Sequence, residues 1–363
     1  MQDVIKQDVI KKVQPLAKLD LKQFETIAIL KKVAGASRQL AELKGVAATI
    51  PNQGILIDTL FMQEAKESSA IENIVTTHDE LFKQNLFPEI QNLAAKEVKR
   101  YVEALRVGFE LVLDTGLITS NHIIKIQAVL EANDAGFRKI PGTSLQNNSG
   151  EIVFMPPQEP IVINALMQDL EKFINTPSVP SLDPLLKMAI MHHQFETIHP
   201  FYDGNGRTGR MMNVLYLVQE GLLDIPVLYL SGYINKHKSD YYRLLQSVRE
   251  DENWQPWILY MLEAVETTAK QSIQKIIAMR NMMMEYKHQI RATHKFYSQD
   301  LINHLFKHPY TKITLLAEDI KVGRLTATKY LDLLVKDGML TREKVGRNSY
   351  YINPVLINIL IKD

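Results

Sequence analysis

The chain has 363 residues, 46% of them hydrophobic and 23% charged, with a formal net charge of +1 at pH 7 and no cysteine. That balance belongs to a globular chain. It excludes a disulfide framework, a thiolate nucleophile and cysteine-ligated zinc, and it leaves no global field to draw the chain onto nucleic acid or membrane. The opening Met-Gln-Asp-Val-Ile-Lys lacks a signal-peptide pattern, and no apolar run approaches the roughly 18–20 residues of a membrane span, so a cytoplasmic protein without membrane contact is expected.

Helical periodicity dominates. It predicts helices over 21–45, 57–83, 93–114, 120–132, 163–175, 184–198, 207–220, 239–250 and 254–290. A β-hairpin is expected between the fourth and fifth, where Asn147-Asn148-Ser149-Gly150 separates Thr143–Gln146 from Glu151–Met155 and Pro156-Pro157 ends the second strand. Asp183-Pro184 offers a cap and a first-turn proline, and Pro200 stops that helix near His199. Farther on, helices at 299–307, 312–319 and 324–337 precede two β-like runs, 340–344 and 349–352, around Gly346-Arg347-Asn348. This is the outline of a winged helix-turn-helix. The fold class is therefore all-α with a small hairpin and a terminal wing. The expected divisions are an N-terminal helical region (1–95), a core (96–265), a helical connector (266–295) and the winged-helix unit (296–363).

The chemistry concentrates in His199-Pro200-Phe201-Tyr202-Asp203-Gly204-Asn205-Gly206-Arg207-Thr208-Gly209-Arg210. Gly204 and Gly206 permit close-approach or left-handed backbone between two helices. Successive amides there form an anion-binding concavity, reinforced by the positive end of the following helix. Arg207 and Arg210 lie one turn apart and can converge on one polyphosphate. Asp203 makes sense in an anion site if it holds a divalent cation such as magnesium. His199 can take a proton near neutral pH. A base, a cation ligand and a phosphate cradle so close together indicate phosphoryl or nucleotidyl transfer. Neither a Walker loop nor a dinucleotide fingerprint fits, because no Gly-Lys-Ser/Thr follows and no strand precedes.

The segment matches the motif His-x-Phe-x-Asp/Glu-Gly-Asn-Gly-Arg-x-x-Arg at every defined position, and on it the chain resembles the Fic family. The resemblance covers about residues 1–265 and implies a protein adenylyltransferase that moves AMP from ATP onto a protein Ser, Thr or Tyr hydroxyl. His199 would deprotonate that hydroxyl, Phe201 would anchor the loop and Asp203 would bind Mg2+. Gly204, Asn205 and Gly206 would hold the α- and β-phosphates, with Asn205 stabilising the transferred phosphoryl. Arg207 would meet the β-phosphate and Arg210 the γ-phosphate, with Thr208 and Gly209 in the same ATP-binding turn. The hairpin would be a flap that clamps the target's main chain by strand addition. Tyr241, in Ser239-Asp240-Tyr241-Tyr242-Arg243, resembles the residue that packs near adenine; core packing is the alternative.

Upstream, Ser68-x-x-x-Glu72-Asn73 is similar to the inhibitory motif of the class with an N-terminal inhibitory helix. Ser68 and Glu72 share one helical face. A glutamate paired with Arg210 would take the guanidinium meant for the γ-phosphate, leaving ATP bound with its phosphates misplaced. His192 and His193 lie outside the motif and read as structural. The resemblance further implies self-modification, a homodimer and a bacterial arrangement. The winged-helix unit is read either as a DNA-binding element, through Lys321, Arg324, Lys329, Lys336, Arg342, Lys344 and Arg347, or as a surface for protein contact. Two rivals stand beside adenylyl transfer: removal of AMP by the same core, and a transcriptional regulator that uses the core as a nucleotide sensor.

Overall fold

The computed structural model describes residues 13–87, 92–147, 149–177, 182–345 and 348–361. After two single-turn 3-10 helices, Leu16–Lys18 and Leu21–Phe24, the helices in order are α1 (Ile27–Ala47), α2 (Gly54–Ile71), α3 (His78–Leu86), α4 (Leu93–Thr115) and α5 (Ser120–Glu131). A two-stranded ribbon of β1 (Leu145–Gln146) and β2 (Ile152–Phe154) follows. Next come α6 (Pro160–Asn175), α7 (Pro184–Ile198), α8 (Asn205–Gln219), α9 (Leu230–Lys236), α10 (Lys238–Asp251) and α11 (Trp254–Thr293). The remainder is α12 (Gln299–Lys307), β3 (Tyr310–Thr311), α13 (Ile313–Asp319), α14 (Arg324–Lys336), β4 (Thr341–Val345), β5 (Asn348–Ile352) and α15 (Pro354–Ile361). No helix among the described residues is long and apolar enough to cross a membrane.

The centre is the α7–loop–α8 hairpin. Every residue of α7 from Leu185 to Ile198 is buried, and so is nearly all of α8, so neither helix has a solvent face. The Asp183 carboxylate caps α7 by accepting from the Leu185 amide (2.8 Å), with Pro184 in the first turn. Trp257 of α11 donates its indole N–H to the Ala189 carbonyl at 2.9 Å, tying that long helix to α7. α1 runs along α11, while α2, α4 and α5 surround the start of α8.

Several elements differ from the sequence expectation. The helix expected over 57–83 is two. α2 ends at Ile71, Asn73 turns left-handed (φ 63°), and Thr77 opens α3 with a capping box closed by Glu80. The first stretch of 21–45 is a 3-10 turn, because Thr26 caps α1 by accepting from the Ile29 amide. The helix expected to open after Gly206 opens at Asn205, with Gly204 (φ 78°) as the left-handed residue before it. α9, β3 and α15 carry too few residues to stand out by periodicity. The hairpin is shorter than 143–155, pairing Leu145 with Phe154 and Gln146 with Ile152. Its base is held by Gln158, whose amide donates to the Thr143 and Pro156 carbonyls while its oxygen accepts from the Gly142 amide. Asn148, Gly346 and Arg347 lie outside the described residues.

The C-terminal part combines α12–α14 with an antiparallel sheet in the order β3-β5-β4. It sits against the helices around the motif. The Tyr310 hydroxyl donates to Asp79 of α3 (2.7 Å), and Gln63 of α2 donates to the Leu360 carbonyl of α15 (2.5 Å). Of its expected surface cations, Arg342 is paired with Asp332 at 3.3 Å.

Candidate active site

The loop between α7 and α8 is held by a few strong, buried contacts. His199 caps α7 in the left-handed region (φ 48°), a conformation that costs a non-glycine residue about 1–2 kcal/mol. Arg138 sustains it. This arginine is 1% exposed, and its guanidinium donates to the carbonyls of His199 (2.8 Å) and Pro157 (2.7 Å), so one side chain joins the loop to the base of the hairpin. Its own amide donates to the Pro200 carbonyl at 2.8 Å. Phe201 is fully buried against Phe137 and Phe195.

Asn205 closes the turn. Its side-chain oxygen accepts from the Phe201 amide (2.8 Å) and its NH2 donates to the Phe201 carbonyl (2.9 Å). The side chain expected to meet a transferring phosphoryl is thus engaged with the backbone of its own loop. Gly204 cannot carry a side chain: its φ is positive, and a Cβ would lie 2.4 Å from Glu131 Oε1. Gly206 is helical, and its missing Cβ serves clearance instead. A Cβ there would stand 2.3 Å from Glu72 Oε1 and 3.0 Å from Arg210 Nη1.

Glu72 therefore lies directly over the first turn of α8, where orphan amides and the helix dipole favour an anion. Its Oε1 accepts from Arg210 Nη2 at 2.7 Å. The same guanidinium donates to the Ser68 hydroxyl and the Ser68 carbonyl, both at 2.9 Å. Arg210 is 1% exposed and the Glu72 side chain 34%. Burial pushes the Glu72 carboxyl up, but the charge and hydrogen bond of Arg210, with Arg207 and Lys238 behind, hold it below the ordinary range. Asn73 accepts from Lys238 at 3.3 Å.

Arg207 is taken by other carboxylates. It donates to Glu131 at 2.8 Å and to Glu97 at 3.3 Å. Arg207 and Arg210, expected to converge on one ligand, are here each engaged by a different acidic partner. Burial raises the Glu131 carboxyl, opposed by Arg207 and reinforced by Asp203 and Glu97. Asp203 accepts the Gly204 amide on one oxygen (2.7 Å), and its second oxygen takes no hydrogen bond among the described residues. A carboxylate with a spare oxygen beside an anion seat fits a magnesium ligand.

His199, Asp203, Gly204, Asn205, Gly206, Arg207 and Glu72 all line one cleft of about 300 Å3, at the small end for a ligand site. Burial, then Arg249 and Arg138, push the His199 imidazole down to about 3, so it is neutral. Thr208 is fully buried, and Gly209 faces inward, where its Cβ would lie 2.7 Å from Glu196 Oε1. Tyr241 is not among the residues that line the cleft. It is 1% exposed, its hydroxyl bonds His192 Nε2 at 2.8 Å, and its ring packs near Trp257.

Four residues here were not singled out from sequence: Arg138, Glu131, Glu97 and Glu196. Glu196 is buried behind α8, where burial raises its carboxyl to about 7 against the pull of Arg210. None carries a local sequence signal; Arg138 follows the partly buried Phe137 in a stretch without periodicity.

Comparison with known proteins agrees with this architecture. Family models match in chain order: Fic/DOC family N-terminal over 30–110, Fic/DOC family over 117–217, and the C-terminal domain of protein adenylyltransferase SoFic-like over 282–356. The chain belongs to the Fic/DOC family. This Fic chain is 27% identical over 129 residues to the protein adenylyltransferase Fic of Drosophila erecta, covering 36% of the chain and 25% of the relative. The Drosophila virilis protein of the same name is 28% identical over 129 residues, with 36% and 25% covered. The match thus spans about a quarter of those relatives' length. Among solved structures, a Fic family protein from Desulfovibrio desulfuricans superposes with a TM-score of 0.56 at 20% identity, over 90% of this chain and 96% of that one. A Fic domain-containing signaling protein from Bacteroides thetaiotaomicron gives 0.55 at 18%, over 67% and 97%. Both share the Fic chain's fold.

Proposed function

We propose that this chain is a protein adenylyltransferase held in check by Glu72. The reaction joins ATP to a protein Ser, Thr or Tyr hydroxyl, giving the AMP ester and pyrophosphate. The hydroxyl oxygen attacks the α-phosphorus in line, the bond to the pyrophosphate oxygen breaks, and His199 accepts the hydroxyl proton. The observation that carries this reading is a carboxylate, Glu72, already seated as an anion over Gly206 against Arg210, in the same cleft as His199.

The α8 N-terminus would hold the phosphates through the backbone amides of Asn205 to Arg207. Asn205 contributes by stiffening the turn through Phe201. Burial keeps His199 neutral, the protonation state a base requires. Phosphate charge entering beside it raises its basicity. Asp203 would hold Mg2+, which supplies charge neutralisation for the polyphosphate when bound. Glu72 must leave Arg210 before a γ-phosphate can take its place, and that departure is the proposed gate. The hairpin fits a docking strip for the target's main chain, since Ile152 and Val153 are 50% and 39% exposed on its second strand.

The test is label partition. Glu72→Gly protein incubated with magnesium and ATP labelled at the α- or the γ-phosphate should retain α-label and none of the γ-label, and Glu72→Gly/His199→Ala should retain neither. Retention of γ-label would mean phosphoryl transfer and sink the proposal.

A further inference from the structure

We propose that His304, His308 and Asp319 form a binding site for a divalent transition-metal ion of the zinc type, separate from the catalytic cleft. His304 lies on the last turn of α12, and His308 is the residue that caps it, so a spacing of four puts both imidazoles on one face. Asp319, the last residue of α13, meets them with one oxygen. Asp319 Oδ2 lies 2.7 Å from His304 Nδ1 and 3.2 Å from His308 Nε2, and the three donor atoms fall within 4.8 Å of one another.

Two of the three separations are close to those of a tetrahedral site, and the two imidazole nitrogens lie within 4.8 Å of each other. Bonds of about 2.0–2.1 Å separate neighbouring ligand atoms by about 3.3 Å. The His308–Asp319 pair already matches, and the His304–Asp319 pair needs to open by about half an ångström. The mixture of two nitrogens and one carboxylate selects zinc, cobalt or nickel over magnesium or calcium, which favour all-oxygen shells. Because Asp319 is exposed, the fourth position opens to water.

A further contact fits a ligand better than a filler histidine. His304 is 2% exposed, and its other nitrogen, Nε2, is 2.6 Å from the Thr311 hydroxyl. Metal-bound histidines ordinarily fix their second nitrogen in this way. The proton count also balances. Without metal, the tautomers that carry their protons on His304 Nδ1 and His308 Nε2 let both rings donate to Asp319 and Thr311 donate to His304. With metal, each neutral imidazole shifts its proton to the far nitrogen, His304 then donates to Thr311, and no net proton is released. A hydroxyl serves as donor or acceptor, so the Thr311 bond survives both states.

The ion would tie α12 to α13 beside Lys307, whose ammonium faces Asp58 of α2 at 3.6 Å. It would stiffen the part of the molecule packed against the helix that carries Ser68.

The experiment uses the full chain, stripped with chelator and dialysed. Zinc chloride is titrated in competition with a chromophoric chelator, and cobalt chloride is added in parallel to read the visible spectrum. The wild type should bind one equivalent of zinc that His308→Gln and Asp319→Asn each weaken at least tenfold, and that Thr311→Val weakens by about 10–100-fold. Asp203→Asn should leave that equivalent in place, which separates it from cation binding in the cleft. The side chains of His308 and Asp319 are 23% and 33% exposed, so both variants should keep the wild-type circular dichroism. The cobalt spectrum of the wild type needs no variant and should show the intense bands of a tetrahedral ion. Zinc binding unchanged in both ligand variants, or a wild type with no zinc equivalent and only weak octahedral cobalt bands, would overturn the proposal.

Discussion

Replacing Glu72 by Gly should lower the stability of the free protein while strengthening its response to ATP. Arg210 is fully buried, and Glu72 is its only carboxylate within bonding distance among the described residues. Removing one partner of a fully buried pair costs about 3–5 kcal/mol, and an exposed pair is worth about 0–1. Here the Glu72 side chain is one-third exposed, and Arg210 keeps both Ser68 contacts and the nearby carboxyls of Glu64 and Glu196. The expected cost is therefore about 1–2 kcal/mol, which at about 2–4 °C per kcal/mol is a fall of a few degrees in Tm. The same contact no longer competes with the γ-phosphate, so apparent ATP affinity should rise by about 5–30-fold for that energy. Thermal unfolding with and without magnesium–ATP reads both effects. Glu72→Gln removes the charge but keeps the bulk over Gly206, so it should give a smaller nucleotide response. A Glu72→Gly protein as stable as wild type, with the same ATP-induced shift, would refute the gate.

Other consequences follow from the same turn. Gly206→Ala should destabilise the wild type, because the new Cβ drives the Glu72 carboxylate from Arg210. In the Glu72→Gly background only the 3.0 Å approach to Arg210 Nη1 remains, so the cost of the same substitution should shrink, and a double-mutant cycle on Tm measures the coupling. Asn205→Ala leaves a buried amide and carbonyl of Phe201 without partners, and should cost about 2–4 kcal/mol by urea unfolding, with loss of label transfer. Glu196 adds a pH term. Its folded pKa of about 7 exceeds the ordinary glutamate value of 4.5, so its contribution is fully present below about 4.5 and is lost as pH rises through about 7. Histidines 192 and 199, each lowered to about 3, act in the opposite sense between pH 3 and 6.5. Glu196→Gln should therefore gain stability relative to wild type on going from pH 6 to pH 8, and urea midpoints at the two values check it.

Much of the architecture is legible because its signals are local. Asp183-Pro184 and Pro200 bracket α7, and Asn92 and Gly116 bracket α4. Spacing placed Ser68 and Glu72 on one helical face and the resemblance implied that Glu72 meets Arg210; the structure brings the three side chains together. The break after Ile71 was written in the sequence as Asn73 and the Thr77–Glu80 capping box, but a continuous apolar period across 57–83 concealed it. What could not be read is tertiary. Glu97 and Glu131 reach Arg207 from α4 and α5 only because those helices flank α8. Arg138 supports His199 from a stretch without periodicity. Gly206 illustrates the limit well. A glycine-rich loop suggested backbone freedom at both glycines, yet only Gly204 uses a positive φ, while Gly206 makes room for a carboxylate from a distant helix.

The account rests on Glu72 occupying the seat that a nucleotide's phosphates require. The most direct measurement is a crystal structure of the Glu72→Gly protein soaked with magnesium and a non-hydrolysable ATP analogue. The account predicts phosphate oxygens on the amides of Asn205 to Arg207, the terminal phosphate on Arg210, and the His199 imidazole facing the α-phosphorus. Phosphates bound elsewhere, or an α8 N-terminus that stays bare while Arg210 remains turned to Ser68, would contradict it.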